Sequence, residues 1–309
     1  MPRNVQLGRE MKELLTPKQV GRAIEVSESS IKRWCDRGEI ATHYTSGGHR
    51  RIALATVLAL VREGKFRLVH PEALGFPATS GQSIRVLTRA RDALTEALLS
   101  GNERRCLQLV IDLVLAEHSI SAICDEVIAA AFAEIGDRWS CGKVEVYRER
   151  RGCEIALRTL HELRSLLPVV PDDAPLAMGG AASGDQYSLG TTMAELVLRE
   201  ENWRAVSLGD NLPFGTLAAA IEENQPRIFW LSCSYIPEAE AFLSGFNALF
   251  ARFHQRVAFV VGGSALTEEL RCQMHFAAYC DNMRHLAAFA RSLRTANSQG
   301  EVTEQPASE

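Results

Sequence analysis

Apolar and polar positions alternate along the chain with two different periods, and the changes of period divide it into three stretches. Over 17–24 and 28–37 apolar residues recur every three or four positions. Val20 and Ile24 mark the first segment and Ile31 and Trp34 the second, the spacing of short amphipathic helices. Thr16-Pro17 and Ser27 stand where a helix takes its N-terminal cap, and Gly38 where one stops. Residues 40–52 change to a hairpin pattern that turns at Gly47-Gly48. Four longer helical periods follow, over about 84–100, 103–117, 121–138 and 144–167, interrupted at Gly101-Asn102, His118-Ser119 and Gly142. From 176 onward short apolar runs alternate with helical segments, and 176–182, 204–208, 228–233, 257–261 and 276–279 read as strands.

Short connections between the middle helices predict an antiparallel four-helix bundle. Apolar strands separated by helices predict a parallel sheet covered on both faces, and five such units in about 120 residues predict a flavodoxin-like, doubly wound order of 2-1-3-4-5. The expected fold is therefore multidomain, α and α/β. A helix-turn-helix with a hairpin occupies 1–68, a Pro- and Gly-bearing linker 69–82, the bundle 83–168, the five-stranded α/β domain 175–294, and a polar tail expected to be disordered 295–309.

Composition adds one asymmetry. The formal net charge of the 309 residues is only −4, yet residues 1–70 hold 13 Lys and Arg against 7 Asp and Glu, a net of +6. The remainder holds 21 against 31, a net of −10, so a basic head joins an acidic body and a polyanion is the natural partner of the head. The eight cysteines are scattered without a CxxC pair, the pattern of reduced, packed thiols. With no long apolar run or leader pattern, a cytoplasmic protein without membrane contact is expected. Nothing in the spacing of Ser, His, Asp or Cys suggests catalysis, so no enzyme is expected.

The second short helix carries Ser29, Ser30, Lys32, Arg33 and Arg37 on its polar side, a set suited to the major groove. The hairpin adds Tyr44, His49, Arg50 and Arg51, suited to backbone phosphates. The run LTPKQVGRAIEVSESSIKRWCDRGEI, followed by TSGGHRRI, resembles the winged helix-turn-helix of the MerR family over about residues 13–66. That resemblance implies a double-stranded DNA operator, palindromic by the family's habit of dimeric binding, and a homo-oligomer, dimer or tetramer.

In the α/β stretch, small residues dominate the loops at the strands' carboxyl ends, where doubly wound sheets bind ligands. The loop Gly184-Asp185-Gln186-Tyr187-Ser188-Leu189-Gly190, with Ser232-Cys233-Ser234 and Gly262-Gly263, resembles the cobalamin-binding fold, whose first loop reads DxHxxG. The resemblance implies that the preceding helices cap the corrin, and that Asp185, Tyr187, Gly190, Ser232, Ser234, Gly262 and Gly263 stand below it. Taken with the head, the order of segments resembles MerR-type repressors that use adenosylcobalamin as a light sensor. Their cap motif of Trp, nine residues, then Glu-His corresponds to Trp139, Val146 and Glu149. Judged without the resemblance, Trp139 is expected to be a core residue. Two positions depart from the pattern: the axial histidine of the cobalt is Tyr187, so no metal ligand is assigned, and the cap histidine is Arg150. A phenol of pKa about 10 is a poor substitute for neutral imidazole. Three readings stand: a cobalamin held without a protein ligand to cobalt, another ligand with an anionic or polar group favoured by Arg150 beside Glu149, or a module kept for oligomerisation or partner docking.

Overall fold

The computed structural model describes residues 14–62, 65–66, 71–74 and 84–300. Apart from one 3₁₀ turn at Pro71–Leu74, the 69–82 linker lies outside them, as do residues 301–309. The chain divides into two compact units: the described residues up to Leu74 with Ser165–Pro168, and those of 84–164 with 169–300. The middle helices and the sheet thus belong to one unit. Among the described residues no helix is long and apolar enough to cross a membrane.

In the first unit, helix α1 (Pro17–Ala23) starts at a full capping box. Thr16 accepts from the Gln19 amide while the Gln19 side chain accepts from the Thr16 amide, and Pro17 occupies the first turn, where its missing N–H costs nothing. Glu25, at φ 57°, turns the chain into α2 (Glu28–Asp36), capped by Ser27. Gly38, at φ 77°, ends that helix as the sequence predicts. Strand β2 (His43–Tyr44) pairs antiparallel with β3 (Arg50–Ala53), matching His43 with Arg51 and Tyr44 with Arg50. A further strand that the sequence did not announce, β1 (Leu14–Leu15), pairs with the other edge of β3. Two residues are too few to show a period. Helix α3 (Leu54–Arg62) follows, and Val20, Ile31, Ile40, Ile52, Val57 and Leu58 are buried.

In the second unit, α4 (Ile84–Ser100) and α5 (Glu103–Leu115) precede α6 (Ile120–Ile123). A π-helical segment, Cys124–Ala129, then carries the chain into α7 (Ala130–Ser140), and α8 (Val146–Leu166) closes the helical part. The sheet is wholly parallel in the order β5-β4-β6-β7-β8, which is second-first-third-fourth-fifth along the chain, as expected. Its strands are β4 (Leu176–Ala181), β5 (Arg204–Ser207), β6 (Ile228–Ser232), β7 (Ala258–Gly262) and β8 (Ala278–Cys280). The fifth begins two residues later than its apolar pattern suggests. Helices α10 (Phe214–Asn224) and α11 (Ala239–Phe253) supply Leu217, Ile221, Phe246 and Phe253 to a core shared with Phe229 and Phe259. The short α12 (Glu268–Arg271) leads to β8.

Helix α9 (Leu189–Glu200) packs against α13 (Met283–Gly300) as well as the sheet, so its residues from Thr191 to Leu198 are all buried. Between these helices Trp203 is fully buried, and its indole N–H donates to the Ala290 carbonyl at 3.3 Å. Helix α13 runs to Gly300, past residue 295 where the polar composition predicts the onset of disorder.

Candidate functional site

On the first unit, Ser29, Lys32, Arg33 and Arg37 are exposed along α2 and its end, while Ser30 is half-buried with its hydroxyl 2.9 Å from that of Ser27. Lys32 pairs with Glu28 at 2.7 Å, and Arg37 lies 3.7 Å from Glu39. In the hairpin, Tyr44 and His49 are exposed and Arg51 donates to the Arg50 carbonyl at 3.0 Å. Arg50 is tied down: its Nε and Nη2 donate to Asp36 Oδ1 at 3.1 and 2.6 Å, and its guanidinium lies 5.9 Å from the Tyr44 ring centre. Those hydrogen bonds hold Arg50 still more firmly in its charged form. Asp36 therefore fixes the hairpin to the end of α2. Sequence reasoning passed over it, because an acidic residue in a basic helix has no periodic signature.

On the second unit, a mostly apolar cavity of about 720 Å³ opens at the carboxyl ends of the strands. Trp139 at the end of α7, and Val146, Glu149 and Arg150 at the start of α8, form one wall. Tyr187, Gly190, Ser232, Ser234, Gly262 and Gly263 form the other. These are the candidate residues of the sequence, with one exception. Trp139 is 51% exposed, which corrects the expectation of a core side chain: it borders the cavity where α7 ends.

The exception is Asp185, which is 1% exposed and does not line the cavity. Its Oδ1 accepts from the Tyr187 amide at 3.0 Å, and its Oδ2 from the Ser234 and Tyr235 amides at 2.6 and 3.1 Å. The Asp185 carbonyl accepts from Asn211 N–H at 2.9 Å, and Asn211 Oδ1 from Gly184 N–H at 2.8 Å. Three strand-end loops are thereby joined beneath the cavity. Asp185 is a brace for the floor rather than a group facing a ligand. Small residues let those loops close up: a Cβ on Gly190 would lie 2.5 Å from Ser232 Oγ, and Gly263 sits at φ 119°, a conformation glycine alone adopts freely.

The two positions that depart from the family pattern meet each other. The Arg150 guanidinium lies 5.3 Å from the centre of the Tyr187 ring, within cation–π range, and Arg150 Nε is 3.6 Å from Glu149. Glu149 also accepts from the Cys153 thiol at 3.3 Å. Burial, helped by Glu149, pushes Cys153 up to about 12, and burial pushes Cys280 up to about 11, so both cavity thiols are protonated at neutral pH.

Several lining residues were missed in the sequence. Trp230, 2% exposed in β6, donates from Nε1 to Thr191 Oγ1 at 2.9 Å, and Thr191 Oγ1 is 3.0 Å from Ser207 Oγ. Asp125, in the π-helical segment, accepts from the Met283 and Arg284 amides at 2.8 and 3.0 Å, capping α13, while Glu126 pairs with the Arg284 side chain. In return the Glu200 carboxylate accepts from the Ile120 amide at 3.0 and 2.9 Å. Each part of the unit thus caps a helix of the other. Partners 80 and 158 residues apart leave no mark in a local pattern.

A family described as a helix-turn-helix domain matches residues 14–65, and one described as a B12 binding domain matches residues 90–163. The chain joins a helix-turn-helix domain to a B12-binding domain. The second match covers most of α4 to α8, and so the π-helical segment, α7 and the first half of α8, which wall the cavity on the helical side. No curated protein matches the chain. Among solved structures, the monomethylamine corrinoid protein of Methanosarcina barkeri is similar at 15% identity, with a TM-score of 0.57 over 66% of this chain and 98% of that one. That likeness is one of fold. A cobalamin-binding protein from Desulfitobacterium hafniense DCB-2 matches at 18% identity and a TM-score of 0.34, covering 67% of this chain and 97% of its own. The methanol:cobalamin methyltransferase complex MtaBC from Methanosarcina barkeri matches at 14% identity and 0.38, covering 76% and 92%.

Proposed function

We propose that this chain is a MerR-type transcription regulator that senses a corrinoid, with adenosylcobalamin the form implied. Hairpin β2–β3 serves as the wing of its DNA-binding domain, and α4 to α8 serve as a four-helix-bundle cap. The observation that carries the reading is the cavity itself: helices matched to a B12-binding family wall a space floored by the strand-end loops, in one chain with a helix-turn-helix.

The residues fit the organic part of such a ligand. Glycines at 190, 262 and 263 let the strand-end loops close into a floor, and Trp139, Val146, Trp230 and Val260 supply apolar walls. They offer no imidazole: no histidine lines the cavity, and no metal-binding cluster occurs among the described residues. Were a corrinoid bound, no histidine of the lining would be there to ligate its cobalt, and Tyr187 and Arg150 would offer it a phenol and a guanidinium as hydrogen-bonding groups.

In this reading the ligand changes the oligomeric state, dimer or tetramer, and hence the spacing of the DNA-binding domains on a palindromic operator. The protein is a regulator rather than an enzyme. The alternative of a corrinoid methyl carrier draws on the fold likeness to the monomethylamine corrinoid protein, but such a carrier has no use for a helix-turn-helix. The test is operator affinity and mass in solution, with and without adenosylcobalamin, in darkness and in light. Identical values in all four states, with no corrin absorption retained by the protein, exclude corrinoid sensing and leave a ligand-independent DNA-binding protein.

A further inference from the structure

Arg150 and Tyr187 line a second space as well, a cleft of about 250 Å³ beside the larger chamber, so their stacked pair stands on the border between the two. The pair also joins the helical wall to the strand-end floor. Elsewhere the helical part and the sheet part are joined by carboxylates that meet backbone amides or arginines. Asp125 caps α13, Glu126 pairs with Arg284, the Glu200 carboxylate accepts from the Ile120 amide, and Arg164 lies 3.2 Å from Glu195, which is buried in α9. At the α7–α8 corner, among the described residues, the Arg150–Tyr187 stack is the one hydrogen-bonded, ionic or ring contact with the floor. The corner turns at Gly142, at φ 69°, and α7 grows out of the π-helical segment, whose wider winding interrupts the regular helix. The Arg150 side chain is 58% exposed and Tyr187 is 38% exposed, so water competes for the pair. A cation–π contact in such a place biases an equilibrium about fivefold, or about 1 kcal/mol. That bias keeps two surfaces together and still lets them part thermally.

We infer that the Arg150–Tyr187 stack is a latch: it draws the α7–α8 corner onto the floor of the chamber, and a ligand that lies between wall and floor enters when the two side chains part. Parting joins the chamber and the cleft into one space, because the pair stands on the border between them. It also frees the phenol and the guanidinium to meet the ligand. The latch opposes binding through the fraction of molecules that it holds shut, so entry is slowed by about the factor by which the shut form is favoured. What passes the latch rests on the corrinoid reading above, whereas the latch itself rests on the stack. The two departures from the family pattern thereby act as one device, since neither residue alone makes the contact.

Distances between nitroxide labels on the two exposed thiols, Cys141 at the corner and Cys272 after α12, test the latch in the full chain without any ligand; the other six cysteines are buried or half-buried. A longer distance, minor in the wild type, is expected to gain about fivefold in population over the shorter one in Arg150→Gln and in Tyr187→Leu. The double variant should gain no more than either single one, because all three lose the same contact. Tyr187→Phe keeps the ring and should leave the distribution as it is. An unchanged distribution in Arg150→Gln, or additive gains in the double variant, overturns the latch. Association of hydroxocobalamin, followed by stopped-flow absorption, should be about fivefold faster in Arg150→Gln than in the wild type. A shifted distance with an unchanged association rate overturns the latch as the control on entry. If hydroxocobalamin binds neither chain, the corrinoid reading fails and the distances alone decide the latch.

Discussion

Replacing Asp185 by alanine removes the brace beneath the cavity without touching its lining. Three amides lose their acceptor, and two of them, Ser234 and Tyr235, belong to the loop after β6, about fifty residues away in sequence. A hydrogen bond to a charged group contributes roughly 1.5–3 kcal/mol, but bonds sharing one carboxylate are not additive, so a loss of about 3–5 kcal/mol is expected. Against a typical domain stability of about 5–15 kcal/mol that is a large fraction. Asp185→Asn keeps one accepting oxygen and turns an NH₂ toward amide donors, so it should lose about half as much. Urea denaturation gives the magnitudes, provided that the slope of each transition is unchanged. Tyr187→Phe serves as the control: it leaves the Tyr187 amide in place and should stay within about 0.5 kcal/mol of the wild type. Corrinoid affinity, measured on each variant while still folded, should fall with Asp185→Ala because the loops bearing Tyr187 and Ser234 are no longer held together. A cost below about 1 kcal/mol for Asp185→Ala would refute the brace.

Burial holds the Asp112 carboxyl up at about 7 from an ordinary 3.8, and its Oδ1 has no hydrogen-bond partner among the described residues. The folded state therefore keeps a proton that the unfolded chain loses above about pH 4. Stability associated with this group is fully present below that point, declines as pH rises, and levels off above about pH 7. Asp112→Asn should be more stable than the wild type at pH 8, by at most about 4 kcal/mol, with the gap closing near pH 4; urea midpoints at both pH values check this, and a gap independent of pH counts against it. Alanine at both Arg50 and Arg51 should weaken DNA binding across sequences and flatten its dependence on salt, read from affinities at several salt concentrations. Asp36→Asn should loosen the hairpin, shifting the Tyr44 and Arg50 amide resonances while α2 stays folded, because the ion pair is what joins the two. Tyr187→His should strengthen corrinoid binding and shift the cobalt-dependent absorption bands; an unchanged spectrum and affinity argue that the floor does not face cobalt.

The order and kind of the elements could be read from the chain because each is encoded locally. A helix of three or more turns repeats its apolar face several times, and the strand runs from β4 to β8 are apolar because both sheet faces are covered. Caps at Thr16 and Ser27, and the stop at Gly38, are equally local, since the partners lie within a few residues. The loops that floor the cavity could be located for a related reason: in a doubly wound sheet their place follows from the strand order alone.

What each side chain does within those loops was decided by tertiary contacts. Asp185 looked like a ligand-facing group, and only the approach of the Ser234 and Tyr235 amides shows a buried brace. Trp139 looked like core until the end of α7 placed it at the border of a cavity. Arg150 and Tyr187 were two separate departures from a pattern, and the fold makes them one stacked pair between two spaces. Asp36 with Arg50, and Asp125 with the start of α13, likewise join residues whose separation in sequence carries no period. The amino-acid sequence determined which faces are buried, because burial repeats along an element. The tertiary structure decided which polar groups meet, because each such meeting occurs once and depends on where distant loops come to rest.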